Sequence, residues 1–205
     1  MRKSHPTPPD FPGLTVRARD TLVIFVKEPR PGRVKTRLGA GIGLVPAAWW
    51  FRHQSQRLIR RLARDPRWRT VLAVSPDHEG LASRVWPACV ARRPQGRGDL
   101  GDRMLRALAA EAPGRVMIVG SDIPDITPDD IAGGFRALGR CDAVFGPAED
   151  GGYWLVGCRG APPRDLFRGV RWSSEHTLAD TLANLPGQSV GFLRSLNDVD
   201  EAGDL

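Results

Sequence analysis

The segment VIFVKEPRPGRVKTRL, Val23 to Leu38, sets Lys27, Arg30, Arg33, Lys35 and Arg37 directly after an apolar run. Lys and Arg in that position neutralise phosphate, and the Thr36 hydroxyl or an exposed amide adds hydrogen bonds. Pro29 and Pro31 stiffen the backbone, while Gly32 permits a tight turn or close ligand approach. We read this loop as a polyphosphate clamp; a basic surface turn is the alternative.

A second chemical signal is VMIVGSDIPDITPDD. A short apolar strand delivers Asp122, beside Gly120 and Ser121, to the sheet edge. Hard carboxylate oxygens suit Mg2+ or Mn2+, ions that bridge a protein to phosphate oxygens. The competing reading is an Asp122 that caps a turn before Pro124; Asp125, Asp129 and Asp130 fit turn and helix-start roles. Farther along, AEDGGYWLVG places Asp150 ahead of Gly151, Gly152 and Tyr153. Such a loop can wrap an acceptor or sugar while Asp150 binds a hydroxyl or acts as base, although a plain hairpin turn explains Asp-Gly-Gly as well.

In GRGDLGDR, Gly98 and Gly101 bracket Asp99 and Leu100. The expectation is a helix beginning at Asp102 whose free amides favour an anion, with Arg103 in reach, or else a simple capped loop. LNDVDEAGDL puts Asp198 and Asp200 after the last apparent strand, SVGFL, where one of them could add a second metal carboxylate or merely open a C-terminal helix. Two motifs are decoys. GRVKT lacks the glycine and spacing of a P-loop, and GAGIG, Gly39 to Gly43, does not follow a strand as a dinucleotide fingerprint must. The expected role of GAGIG is a flexible lead into the next helix.

These residues need a scaffold that brings them to one edge. Thr21–Val26, Thr70–Val74, Arg115–Gly120 and Asp142–Gly146 are apolar without alternation and read as buried parallel strands. Between the first two, Pro46 to Arg64 sets Phe51, Leu58, Ile59 and Leu62 on one helical face. Asp102 to Ala112 repeats that pattern, and Thr127, Pro128 and Asp130 form a capping box at a helix start. Strands alternating with helices predict an α/β chain with a mostly parallel sheet covered on both faces. Tyr153–Cys158 follows a turn with no helix between, so the sheet becomes mixed there. Ligands of such sheets collect at the carboxyl ends of the strands.

The 205 residues suit one domain over 20–205, preceded by a loose basic, proline-rich tail over 1–19. The net charge of +7 points to anionic partners. Cys89, Cys141 and Cys158 are too far apart for a metal or disulfide framework, and the four histidines have no ligand spacing, so a reducing, cytoplasmic setting is expected. No stretch is long and apolar enough to insert in a membrane. The six tryptophans are not interleaved with the basic cluster, which argues against nucleic acid as partner.

Taken together, FVKEPRPGRVKTRL, GRGDLGDR, GSDIPDITPDDI, GPAEDGGYWLVG, VRWSSEHTLADTL and NDVDEAGDL resemble the glycosyltransferase-A-like domain family called radical-SAM/selenodomain-associated transferase 1, within the nucleotide-diphospho-sugar transferase superfamily. More distantly the chain is similar to 2-phospholactate and molybdenum cofactor guanylyltransferases. The resemblance implies a three-layer α/β/α sandwich. It places nucleotide phosphates at Lys27, Gly32, Lys35, Thr36 and Arg37 and divalent metal at Asp122 with Asp200 and Asp198; the GRGDLGDR segment, on its own residues, adds Gly98, Asp99, Leu100 and Arg103 as phosphate-site candidates. The candidate acceptor contacts are Gly151, Gly152 and Tyr153 of the loop after Asp150, with Trp172. Glu201 stands where relatives commonly have threonine, and Ile123-Pro124 after Asp122 breaks the Asp-x-Asp pattern of glycosyltransferases. The expectation is a Mg2+- or Mn2+-dependent transferase in which Lys35, Arg37 and Asp150 are catalytic. It would pass a glycosyl group from a nucleotide-activated donor to a small-molecule acceptor, with nucleotidyl transfer releasing pyrophosphate as the alternative.

Overall fold

The computed structural model describes residues 20–205; the expected N-terminal tail lies outside the described residues. A seven-stranded sheet runs through the molecule in the order β3-β2-β1-β4-β6-β5-β7. Its strands are β1 (Thr21–Lys27), β2 (Arg69–Ser75), β3 (Ala91–Pro94), β4 (Arg115–Gly120), β5 (Ala143–Pro147), β6 (Tyr153–Arg159) and β7 (Val190–Phe192). Strands β1 to β4 pair in parallel, β6 runs antiparallel to both β4 and β5, and β7 is parallel to β5. The mixed sheet expected from the sequence is therefore present, with its reversal at Tyr153–Arg159.

Two separate cores explain why the strands carry no polar face. Leu22, Ile24, Val26, Leu72, Val74, Met117 and Val119 point to one side. There they meet Leu58, Ile59 and Leu62 of α2 (Leu44–Ala63) and Ile131 and Phe135 of α5 (Pro128–Ala137). Val23, Ala73, Val116, Ile118 and Val156 point to the other side, against Met104 and Leu108 of α4 (Leu100–Ala110) and the Leu166–Val170 segment. Alternate side chains of one strand thus feed opposite cores, and an apolar run without alternation is the sequence record of that. Burying Leu22, Ile24, Leu58, Ile59 and Leu62 completely stabilises the fold by about 1.5–3 kcal/mol each against leaving them exposed.

The remaining helices are short: α1 (Thr36–Ile42), α3 (Asp77–Ala82) and α6 (Thr177–Ala183). Helix α1 corrects the expectation of a flexible Gly39–Gly43 lead, because most of that segment is helical. The glycines serve packing instead. A Cβ at Gly41 would lie 2.9 Å from Ala202 Cβ, and one at Gly39 would lie 3.3 Å from the Leu44 Cα and displace the Leu44 side chain, so a side chain at either would push its neighbour away. Helix α4 also differs from expectation, starting at Leu100 and not at Asp102. Asp99 is its N-cap and accepts the Asp102 amide at 2.8 Å, while the Asp102 side chain accepts the Asp99 amide at 3.2 Å. That reciprocal pair is a capping box built from two aspartates.

Candidate functional site

The crevice lies where the sheet order turns back. From β1 the chain moves outward to β2 and β3, then returns to β4 on the other flank of β1. Loops leaving the carboxyl ends of β1 and β4 must therefore diverge around a gap, the usual ligand position in open α/β sheets. Phe25 pairs with Gly120 across those two strands, so Lys27 and Asp122 leave at the same level.

Asp122 is held from two sides. The hydroxyl of Ser55 on α2 donates to the Ser121 carbonyl at 3.2 Å, and Arg61 donates to the Pro124 carbonyl at 2.7 Å. The Val199 amide donates to the Asp122 carbonyl at 3.3 Å, docking the segment that follows β7 onto the same edge. Val199 tucks into a small core with Leu38 and Ala47. In an extended chain its neighbours face the opposite way, so Asp198 and Asp200 project together. Asp122, Asp198 and Asp200 have carboxylate oxygens within 4.8 Å of one another.

Lys35 occupies the middle of this cluster. Its Nζ lies 2.6 Å from Asp122 Oδ2, 3.0 Å from Asp198 Oδ2 and 2.6 Å from Asp200 Oδ1, and Arg37 reaches Asp200 Oδ2 at 3.2 Å. Lys35 caps α1 in a left-handed conformation, φ 46°, which turns its side chain inward until 7% remains exposed. Burial alone would lower its pKa, but the carboxylates, Asp122 foremost, hold the ammonium above its ordinary range. Burial raises Asp198, against the pull of Lys35 and with the push of Asp122. Asp200 is pushed up by burial but held lower by its hydrogen bond to Lys35. Three carboxylates around one buried ammonium leave net negative charge, and hard oxygens clustered this closely fit a Mg2+- or Mn2+-type ion.

Two hollows meet at Asp122. The larger, about 700 Å³, is lined by Lys27, Arg33, Lys35, Thr36, Arg37 and Arg103 with Phe25, Leu100, Ser121 and the acids 122 and 200. The smaller, about 260 Å³, is lined by Asp150, Gly152, Tyr153 and Trp172 together with Phe25, Met104, Asp122 and Asp198. The structure thus brings together Lys27, Lys35, Thr36, Arg37, Leu100 and Arg103 on one side of the acids and Asp150, Gly152, Tyr153 and Trp172 on the other.

Four candidates stand back from both linings. Gly32 turns the β1–α1 loop at φ 77°. In that loop Arg30 and Arg33 pair with Glu79 of α3 at 2.8 and 3.2 Å, which anchors it to the β2 side. Gly98, φ 103°, brings its carbonyl to Arg103 Nε at 3.0 Å, and Asp99 caps α4. Gly151, φ 82°, packs on the backbone of Glu175, where an added Cβ would lie 2.2 Å from the carbonyl oxygen. Asp150 does two things at once: Oδ1 accepts the Gly152 amide at 2.9 Å, as the hairpin reading requires, and the side chain lines the smaller hollow.

Sequence reasoning missed Ser173 and Gln95. Ser173 lines both hollows and adopts φ 54°, a conformation rare outside glycine. Gln95 is buried in the wall of the larger hollow, and its amide donates to the Ala73 and Val26 carbonyls at 2.9 and 3.3 Å. Neither residue type signals such a place; both depend on long-range packing.

This is the nucleotide-diphospho-sugar transferase fold. The chain is 32% identical to the "putative nucleotide-diphospho-sugar transferase" of Desulfovibrio desulfuricans G20, with a TM-score of 0.78 over 89% of this chain and 82% of that one. It belongs to the DUF2064 family, described as uncharacterized protein conserved in bacteria, whose profile matches residues 58–174. The fold is also similar to 4-diphosphocytidyl-2C-methyl-D-erythritol synthase from Anaerococcus prevotii, at TM-score 0.53 and 11% identity over 91% of this chain and 92% of that one. Molybdopterin-guanine dinucleotide biosynthesis protein A from Archaeoglobus fulgidus gives 0.52 and 15% over 90% and 94%. No curated protein matches the sequence significantly. Among the described residues, no helix is long and apolar enough to cross a membrane.

Proposed function

We propose that this chain is a metal-dependent transferase that takes a nucleotide-activated donor in the cation-lined hollow and a small acceptor in the hollow beside Asp150. The observation that carries the reading is the position of the acid cluster, Asp122, Asp198 and Asp200, at the seam between the two. Those carboxylates would hold Mg2+ or Mn2+, whose bound charge offsets that of the donor phosphates. Lys27, Arg37, Arg103 and the Thr36 hydroxyl bind and orient the phosphates. Lys35 and Arg37 stabilise the negative charge that grows on the leaving group, and removing one such preorganised cation costs about 2–4 kcal/mol of barrier. Asp150, on a rigid turn, orients an acceptor hydroxyl or takes its proton.

Glycosyl transfer from a nucleoside-diphosphate sugar is the first reading, supported by the 32% identical relative's description. Nucleotidyl transfer, with attack on the α-phosphorus and loss of pyrophosphate, is the second. It is favoured by the Asp122-Ile123-Pro124 sequence, which lacks the glycosyltransferase Asp-x-Asp, and by the fold shared with the Anaerococcus and Archaeoglobus proteins. Incubation with nucleoside-diphosphate sugars and with nucleoside triphosphates, each with Mg2+ or Mn2+, separates them: released nucleoside diphosphate marks the first, pyrophosphate the second. Failure of every nucleotide to raise the melting temperature in the presence of metal defeats both.

A further inference from the structure

The two hollows differ in the sign of their charge. In the larger one, the lining cations Lys27, Arg33, Lys35, Arg37 and Arg103 outnumber the acids Asp122 and Asp200. In the smaller one, the charged lining residues among the described residues are Asp122, Asp150 and Asp198, with no Lys, Arg or His. The rest of that lining is largely apolar, and its aromatic members are Phe25, Tyr153, Trp154 and Trp172.

The aromatic rings are fixed in place. Tyr153 meets Phe145 edge-on at 5.3 Å between centroids, and Trp172 lies against Phe167 at 5.9 Å. The indole N–H of Trp172 is buried without a hydrogen-bond partner among the described residues. Burial pushes the Tyr153 hydroxyl well above its ordinary range, so it stays an uncharged phenol. Lys35, and a divalent ion when bound, offset Asp122 and Asp198, so the acid that keeps its charge facing this hollow is Asp150, which pairs with no cation of the lining.

Resting on the transferase reading above, we infer that the acceptor is a small, non-anionic molecule: a hydroxyl-bearing compound, neutral or carrying an amine, with an apolar face that stacks on Trp172 and Tyr153. Phosphorylated and carboxylated acceptors are disfavoured, because the hollow offers their charge no cation and sets it beside the carboxylate of Asp150. A volume of about 260 Å³ limits the occupant to the small end of ligand size. Amines gain further from the ring faces.

The test uses three probes on one phenylethyl scaffold that carry a neutral, a cationic and an anionic group: 2-phenylethanol, 2-phenylethylamine and 2-phenylethyl phosphate. Each is titrated into the full-length protein by ligand-observed NMR, with Mg2+ and inorganic pyrophosphate present to fill the basic hollow. The alcohol and the amine bind, and the phosphate ester binds at least tenfold more weakly. Trp172→Ala abolishes the first two signals. Asp150→Asn, which keeps an oxygen to accept the Gly152 amide, narrows the gap between amine and phosphate ester at least threefold. Trp172-dependent binding of the phosphate ester as tight as the alcohol overturns the inference, and so does the absence of Trp172-dependent binding by any probe. The probes carry no nucleotide, so this result is read independently of whether donor turnover is found.

Discussion

The Nζ of Lys35 lies 2.6 Å from Oδ2 of Asp122, although 87 positions part them in the chain. That contact joins the loop after β1 to the loop after β4 across the gap where the sheet order reverses. Asp198 and Asp200 complete it from the C-terminal segment, so three distant stretches depend on one ammonium for charge balance.

Replacing Lys35 by Met removes that balance and leaves three carboxylates within 4.8 Å of one another. The metal-free variant is less stable by about 1–3 kcal/mol, below the usual cost of breaking a fully buried pair because the acids are partly exposed. Its melting temperature falls by about 2–10 °C. Mn2+ binding, followed by electron paramagnetic resonance, tightens at least threefold, since Lys35 and the ion compete for the same oxygens. Weaker Mn2+ binding in the variant defeats this account.

Asp122→Asn tests the acid cluster from the other partner. Differential scanning fluorimetry with Mg2+ plus nucleotide is expected to lose the metal-dependent rise in melting temperature, and turnover with the best donor falls by about 10²–10³. An undiminished metal-dependent shift would remove Asp122 from the ligand set.

Gly151 and Gly169 form a matched pair for backbone strain. Both have positive φ, 82° and 69°, but a Cβ at Gly151 meets the Glu175 backbone at 2.2 Å, whereas one at Gly169 meets nothing within 4 Å. Gly169→Ala costs about 1 kcal/mol in urea unfolding, the price of the left-handed conformation. Gly151→Ala costs at least twice as much and moves the Asp150 turn, so turnover falls as well. Equal urea midpoints would show that the Glu175 contact yields.

Asp130 links stability to acid. Its hydrogen bonds from Arg194, at 2.7 and 2.9 Å, and from Thr127 bring the carboxyl down to about 2, below its ordinary 3.8. The folded value is the lower one, so the charged form stabilises the fold above the ordinary value, and the benefit is lost as pH falls from 3.8 through about 2. Asp130→Asn is less stable than the parent by about 1–2 kcal/mol at pH 7, from the weakened cap and lost charge-assisted bonds. Urea midpoints measured at falling pH converge toward pH 2. A gap constant with pH would exclude this linkage.

Local fold pattern was the most legible part of the sequence. The strand cores and the Thr127–Asp130 capping box are local patterns with local causes, and the structure places both as read; the basic loop does follow β1, but Arg30 and Arg33 pair with Glu79 and Lys35 with three carboxylates, partners that no local pattern announces. Helix α1 was not legible, because glycines that read as flexible are there to let α1 approach α2 and the C-terminal residues, contacts no local window contains. The start of α4 was misread for a smaller reason: Asp99 and Asp102 are the same residue type, and only geometry tells the cap from its partner. Strand β3, with Arg92 and Arg93 inside it, lacks an apolar run because it lies at the sheet edge beside β2 alone. The strain at Ser173 has no sequence signature at all.

The reversal at β6 has a further consequence. Because β5 points the same way as β1 and the next strand sets off from where β5 stops, the Ala148–Gly152 turn sits on the same rim as the loops after β1 and β4, without a crossover helix behind it. Relatives could swap or lengthen that short bridge, as antibodies diversify a loop on a fixed frame, without repacking either core. Under the proposed function, such changes alter which acceptor fits while leaving the loops after β1 and β4, which carry the cations and Asp122, where they are.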